Sequence, residues 1–176
     1  MNIVLIGYRC CGKTSAGKYI AEKLNRTFLD TDELIREKVS VGIDDIVSRH
    51  GWDHFRELER DVIQEVSSHD NLVVATGGGV VTDRRNIENL KKNGVIIWLY
   101  TDLKTIKKRM QEDTGTGENR PSLTGMDSLD EIECVMKERE PLYESAADVS
   151  IDTGSMRVDE VGELVLIKAG KLKAQS

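Results

Sequence analysis

The sequence predicts an α/β fold in which a parallel sheet is covered by helices on both faces. Three observations carry this. Short apolar runs alternate with helical segments from one end of the chain to the other. The first run, Ile3-Val4-Leu5-Ile6, reads as a buried strand and leads straight into Gly7-Tyr8-Arg9-Cys10-Cys11-Gly12-Lys13-Thr14. That octet fits G-x-x-x-x-G-K-[ST], and Ser15 to Leu24 after it reads as a helix, which is the strand–loop–helix context the motif requires.

The remaining elements follow in order. Thr27-Phe28-Leu29 reads as a second strand ending at Asp30-Thr31-Asp32. A helix over Glu33–Lys38 comes next, then one around Asp44–His50 with Gly51 as its stop. Phe55, Leu58, Val62, Ile63 and Val66 recur at the spacing of one helical face, predicting a helix from Trp52 to Ser67. Leu72–Ala75 is a buried strand, ended by Thr76-Gly77-Gly78-Gly79. Asp83 caps a helix to about Lys91, Val95–Leu99 is a fourth strand, and Asp102 caps a helix through Met110. Glu112 to Asp127 is polar, holds three glycines and Pro121, and has no period; it reads as a mobile loop. A helix from about Leu129 to Tyr143 follows, with a bend or break expected near Pro141. Asp148–Ile151 is a fifth strand and Val158–Ala169 a closing helix, with Gly170 as a stop and a frayed tail beyond it.

Composition narrows the function classes. With 176 residues and no linker or repeat, one domain spanning 1–176 is expected. A net charge of −6 argues against general nucleic-acid binding, which needs a basic face. Positive potential must then be local, which suits a small anionic ligand. No segment has the apolar length of a membrane span, and the start lacks the basic region of a signal peptide, so a cytoplasmic location is expected. Three cysteines, two of them adjacent, give no disulfide framework, and a zinc site would lack a second ligand pair.

The octet is built for anion capture. Its glycines let successive backbone N–H groups point inward at the positive end of a helix dipole. Lys13 adds a mobile charge for the β- and γ-phosphates, and the Thr14 hydroxyl is a candidate Mg²⁺ ligand. Ligands of open α/β sheets bind outside the carboxyl ends of the strands, and the loop, the Asp30/Asp32 pair and the glycine triplet all fall there. Asp30 and Asp32 would line one face if the chain stayed extended, one toward a metal and the other toward a substrate hydroxyl; alternatively Asp32 is simply the N-cap of the next helix. Arg56 and Glu59 are three apart on a helix, as a surface ion pair or as an arginine fixed to clamp a carboxylate. Gly77, Gly78 and Gly79 expose backbone N–H groups to a ligand. Arg120 lies in the polar loop, where it can close over a triphosphate. Arg109 and Arg139 each lie on a helix, and a solvated arginine is the plain reading of either.

The ordered set of these motifs resembles the shikimate kinase family. It comprises the phosphate loop, Phe28-Leu29-Asp30-Thr31-Asp32, Phe55-Arg56-Glu57-Leu58-Glu59, Thr76-Gly77-Gly78-Gly79, Arg120-Pro121 and Arg139-Glu140-Pro141-Leu142-Tyr143. The resemblance implies a three-layer P-loop kinase fold with a five-stranded parallel sheet of order 2-3-1-4-5. It also implies a mobile lid at about 112–127 and a substrate-binding helical segment at about 33–68. The implied reaction transfers the γ-phosphoryl of ATP to the 3-hydroxyl of shikimate with Mg²⁺, in a monomer. The implied roles are Asp32 as base, and Arg56 and Arg139 as carboxylate clamps with Glu59 orienting Arg56. Gly77, Gly78 and Gly79 would line the ring. Lys13 and Arg120 would stabilise phosphoryl charge, Thr14 and Asp30 hold the metal, and Arg109 stack on adenine. Cys10, Cys11, Gly12 and Ser15 complete the implied ATP site. The family usually carries glycine where Cys10 stands, so different loop dihedrals are expected there. Either Met156 or Arg157 would contact adenine. A related kinase acting on gluconate or a nucleoside monophosphate, and a nucleotide-dependent binding module, are the competing readings.

Overall fold

The structure is a computed structural model that describes residues 1–112 and 128–174. The expected lid, with Arg120 and Pro121, falls outside the described residues apart from Glu112. In chain order the elements are β1 (Asn2–Ile6), α1 (Lys13–Leu24), β2 (Thr27–Asp30), α2 (Thr31–Val39), α3 (Ile43–Ser67), β3 (Leu72–Ala75), a short 3₁₀ turn (Val80–Thr82), α4 (Arg84–Lys92), β4 (Gly94–Tyr100), α5 (Leu103–Glu112), α6 (Ser128–Ala146), β5 (Val149–Asp152) and α7 (Val158–Lys173). The five strands form one parallel sheet in the order β2-β3-β1-β4-β5, as the resemblance implied.

Successive side chains of a strand point to opposite faces, and the two faces of this sheet carry two separate cores. Ile3, Leu5, Ile97 and Leu99 pack with Ala16 and Ile20 of α1, Ile106 of α5 and Val161 and Val165 of α7. Val4, Ile6, Ile96 and Trp98 pack with Ile35 of α2, Phe55 and Ile63 of α3, Leu90 of α4 and Tyr143 and Ala146 of α6. Leu5 is fully buried; truncating such a residue to alanine costs about 2–5 kcal/mol. Among the described residues no helix is long and apolar enough to cross a membrane.

Register places the functional rim. Leu5 pairs with Ala75 and Asp30 pairs with Ala75 from the other side, so β1, β3 and β2 end at one level. The phosphate loop, the glycine triplet and the Asp30–Asp32 segment therefore leave the sheet side by side.

Three sequence expectations are corrected. The cap of α2 is Asp30, whose carboxylate accepts the Asp32 backbone N–H, and the helix begins at Thr31. Asp32 is thus neither the cap nor part of an extended pair; it sits in the first turn. The reason is that Asp30 is held extended by its pairing with β3, so the helix can start immediately after it. Pro141 does not end α6, which runs on to Ala146, because buried Tyr143 and Ala146 anchor the last turn. Gly170 does not stop α7, which continues to Lys173 with Ala169 buried beside it. Gly51 breaks the helical geometry as expected (φ 81°), so α3 is two helical runs joined by a kink at that residue.

Candidate active site

The phosphate loop is shaped by its backbone. Gly7 has φ 138°, and a β-carbon there would run into the Leu99 carbonyl oxygen. Gly12, at φ 90°, caps α1 with no side-chain bond to its first N–H groups, leaving that dipole end to a ligand. Cys10 adopts φ 60°, a left-handed conformation that costs a non-glycine residue roughly 1–2 kcal/mol. Lys13 is buried and curls back over the loop, donating to the carbonyls of Gly7 at 2.8 Å and Tyr8 at 2.7 Å. The adjacent Thr14 hydroxyl donates to Asp30 Oδ2 at 3.0 Å.

One side of the loop opens into a cleft lined by Tyr8, Arg9, Asp32, Arg56, Glu59, the three glycines and Arg139, with Ile43, Trp52 and Phe55 as its apolar wall. The structure brings Asp32, Arg56 and Arg139, spread over more than a hundred positions, into this one space. Arg56 donates to Glu59 Oε2 at 2.7 Å, and its guanidinium lies over the rings of Trp52 and Phe55 at 5.5 and 5.3 Å. Glu59 is only 1% exposed, so of the two readings the spacing allowed, this is not the surface ion pair. Burial pushes the Glu59 carboxyl above the usual carboxylate range, Arg56 pulls it back, and Asp32 nearby pushes it up again. Gly77 is what lets the two carboxylates come close: a β-carbon there would lie 2.6 Å from Asp32 Oδ1 and 3.1 Å from Glu59 Oε1. A β-carbon at Gly79 would occupy the space of the Arg56 guanidinium. Gly77 and Gly79 are therefore required by the acids and the arginine packed on them. Buried Arg139 donates to the Gly78 carbonyl at 3.1 Å, and so does Tyr143.

The other side of the loop faces a second cavity, lined by Cys10, Cys11, Gly12, Ser15, Arg109, Thr153, Met156 and Arg157. Met156 and Arg157, the two candidates for the adenine contact, both line this cavity. Arg109 is tied down: it donates to the Cys10 carbonyl at 3.2 Å and to the Thr153 hydroxyl and carbonyl at 3.2 and 2.7 Å. Burial holds the Cys11 thiol above its ordinary pKa, against the pull of Lys13 and Arg109.

Tyr8, Arg9, Trp52 and Tyr143 escaped sequence reasoning as site residues. Tyr8 and Arg9 occupy the variable positions of the motif, where any residue satisfies the pattern. Trp52 directly after the Gly51 kink, and Tyr143 one turn after Arg139, were visible signals.

A phosphate loop between β1 and α1 of a 2-3-1-4-5 sheet, with an arginine-lined cleft on one side and a larger cavity on the other, defines a P-loop phosphotransferase of the small-molecule kinase class. Comparison with known proteins narrows the class. The family model "Shikimate kinase" matches residues 9–168. The chain is 41% identical to the shikimate kinase of Caldicellulosiruptor saccharolyticus, over 94% of this chain and 93% of that one. It is 39% identical to that of Syntrophus aciditrophicus, over 94% and 89%. Among solved structures, the shikimate kinase from Acinetobacter baumannii in complex with shikimate superposes with a TM-score of 0.88 at 36% identity, covering 97% of this chain and 94% of that one. The chain belongs to the shikimate kinase family.

Proposed function

We propose that this chain transfers the γ-phosphoryl group of ATP to the 3-hydroxyl of shikimate, giving shikimate 3-phosphate and ADP on the route to chorismate and the aromatic amino acids. The observation that carries the reading is the cleft itself. Two arginines, one pinned by a buried carboxylate and the other by a backbone carbonyl, share it with Asp32 beside a phosphate loop. A cyclic hydroxy acid needs those groups and few others.

Each residue then has a task. Arg56 and Arg139 grip the acid's carboxylate, since a planar guanidinium fork matches two carboxylate oxygens. Glu59 holds Arg56 in place. Gly77, Gly78 and Gly79 let the ring lie against backbone. Asp32 accepts a hydrogen bond from the attacking hydroxyl and takes its proton as the new O–P bond forms. Because phosphoryl transfer has a loose transition state, Asp32 orients the hydroxyl before it acts as a base. Lys13 stabilises charge on the transferring group, joined by Arg120. Cys10, Cys11, Gly12 and Ser15 of the loop and Arg109 contact the nucleotide.

Thr14 and Asp30 suit Mg²⁺. A hydroxyl and a carboxylate within one hydrogen bond of each other supply the hard oxygen donors this ion takes alongside water and phosphate. Held there, the ion would supply charge neutralisation for the phosphate oxygens. The proposal extends to a single kinase domain over 1–176, with the lid at about 112–127 and the acceptor-binding segment at about 33–68. It also extends to a monomer acting in the cytoplasm, without nucleic-acid or membrane partners.

A coupled ADP-release assay with shikimate, gluconate and AMP as acceptors tests the reading. Turnover with shikimate alone is expected. Preference for gluconate or AMP, or turnover with none of the three, overturns it.

A further inference from the structure

The segment Gly77-Gly78-Gly79 has to be held still to be useful, because glycine has the largest backbone freedom to lose. Its carbonyls are held in two different ways. The Gly77 carbonyl accepts the Val80 N–H and the Gly79 carbonyl accepts the Thr82 N–H and hydroxyl, all within the local turn. The Gly78 carbonyl is reached from elsewhere in the chain: Arg139 and Tyr143 of α6 both donate to it. These two residues are four apart, so they rise from one helical face and converge on a single acceptor.

The two donors are not equivalent. Arg139 lines the cleft and has a competing task at the acceptor's carboxylate. Tyr143 is fully buried, its ring stacked on Trp98 of β4 with centroids 5.8 Å apart at 19°. It has no route to a ligand. Burial also holds its hydroxyl well above the ordinary phenol pKa, so it stays a donor throughout the working pH range.

We infer that Tyr143 is a positioning residue of the acceptor site: its hydroxyl fixes the Gly78 carbonyl, and through it both the Gly78–Gly79 peptide plane and the Arg139 guanidinium. The peptides of the described residues are trans, so carbonyl and N–H of one peptide point opposite ways. A Gly78 carbonyl turned to α6 turns the Gly79 N–H away from it. One N–H of the Arg139 fork is spent on the same oxygen, which sets the fork's plane and leaves its remaining N–H groups for a carboxylate. When Arg139 engages the acid, Tyr143 keeps the peptide in place. The inference deepens the proposed reaction and rests on it.

The test is Tyr143→Phe in the full chain. The substitution removes one oxygen, keeps the ring on Trp98 and leaves Gly78 its Arg139 donor. The KM for shikimate is expected to rise about tenfold, with the KM for ATP and kcat within about twofold. In a double-mutant cycle with Arg139→Lys, the two effects on shikimate KM are expected to fall short of their product, since both act on one carbonyl. The second readout is amide exchange of Gly79 in the free chain, which is expected to quicken in the variant. A lowered melting temperature with unchanged shikimate KM and unchanged Gly79 exchange overturns the inference and leaves Tyr143 structural. The exchange measurement needs no substrate, so a wild-type chain that does not phosphorylate shikimate sinks the assigned reaction while Gly79 still judges the positioning. Should Tyr143→Phe not fold, Trp98→Phe keeps the phenol but removes the indole behind it. The same two readouts then apply: both are expected to move, and neither moving overturns the inference.

Discussion

Asp30 caps the helix that carries Asp32: one oxygen of its carboxylate accepts the Asp32 backbone N–H at 3.1 Å, while the other accepts the Thr14 hydroxyl at 3.0 Å. A single side chain thereby ties the phosphate loop to the helix holding the proposed base. Local folding and proposed metal binding meet in one residue, and they can be separated by substitution.

Asp30→Asn separates them. Asparagine caps a helix about as well as aspartate, so the melting temperature is expected to stay within about 2 °C. The charge is gone, so the Mg²⁺ concentration for half-maximal activity is expected to rise about tenfold or more. A Mg²⁺ titration of ADP release, paired with thermal unfolding, checks both halves. An unchanged titration would return Asp30 to capping alone.

Asp32→Asn addresses the base. Asp32 is buried beside the Gly77 α-carbon, and the amide is nearly isosteric with the acid. Turnover is expected to fall by about 10²–10⁴, with native circular dichroism retained. Near-normal kcat would mean that Asp32 only orients or only packs.

What the sequence made legible was local. The motif octet, the apolar runs and the capping aspartates Asp83 and Asp102 each announce themselves within a few residues. The structure confirms both of those caps, through the N–H groups of Arg85 and Thr105. Asp30-Thr31-Asp32 was ambiguous because both acids have cap chemistry, and the pairing of Asp30 with Ala75, which decides between them, is not a local property. The same limit hid the partners of Tyr143 and Thr153. Those partners lie 65 and 53 positions away, and no periodicity within a helix encodes that. Arg56 is the intermediate case. Its spacing to Glu59 was plain, but whether the pair faced water or core depended on the packing of α3 against the glycine triplet.

Arg139→Ala tests the carboxylate clamp. Removing a buried, hydrogen-bonded charge facing a charged ligand costs about 2–5 kcal/mol, so the KM for shikimate is expected to rise at least about 30-fold. Gly78 keeps its Tyr143 donor, and the nucleotide cavity on the far side of the loop does not include Arg139. The KM for ATP should therefore change by less than about twofold. Equal weakening of both substrates would contradict the assignment.

Asp83 supplies a pH prediction away from the site. It caps α4, pairs with Arg85 through both oxygens and is reached by Arg60 at 3.0 Å from α3. The Arg85 guanidinium, helped by the Arg85 N–H and by Arg60 against some burial, holds its carboxyl down at about 2. The unfolded chain binds that proton at about 3.9. A depressed folded-state pKa stabilises the fold above the unfolded value, and the contribution drains away as pH falls from about 3.9 through about 2. Asp83→Asn keeps the cap and discards the charge. Its stability deficit in urea unfolding is therefore expected to be largest at pH 6 and to shrink steadily between about pH 4 and pH 3. Because Arg85 is exposed, the deficit at pH 6 should be about 1 kcal/mol rather than the several that a buried pair would show. A deficit that stayed constant across that range would mean that the arginines contribute nothing through charge and that the cap alone matters.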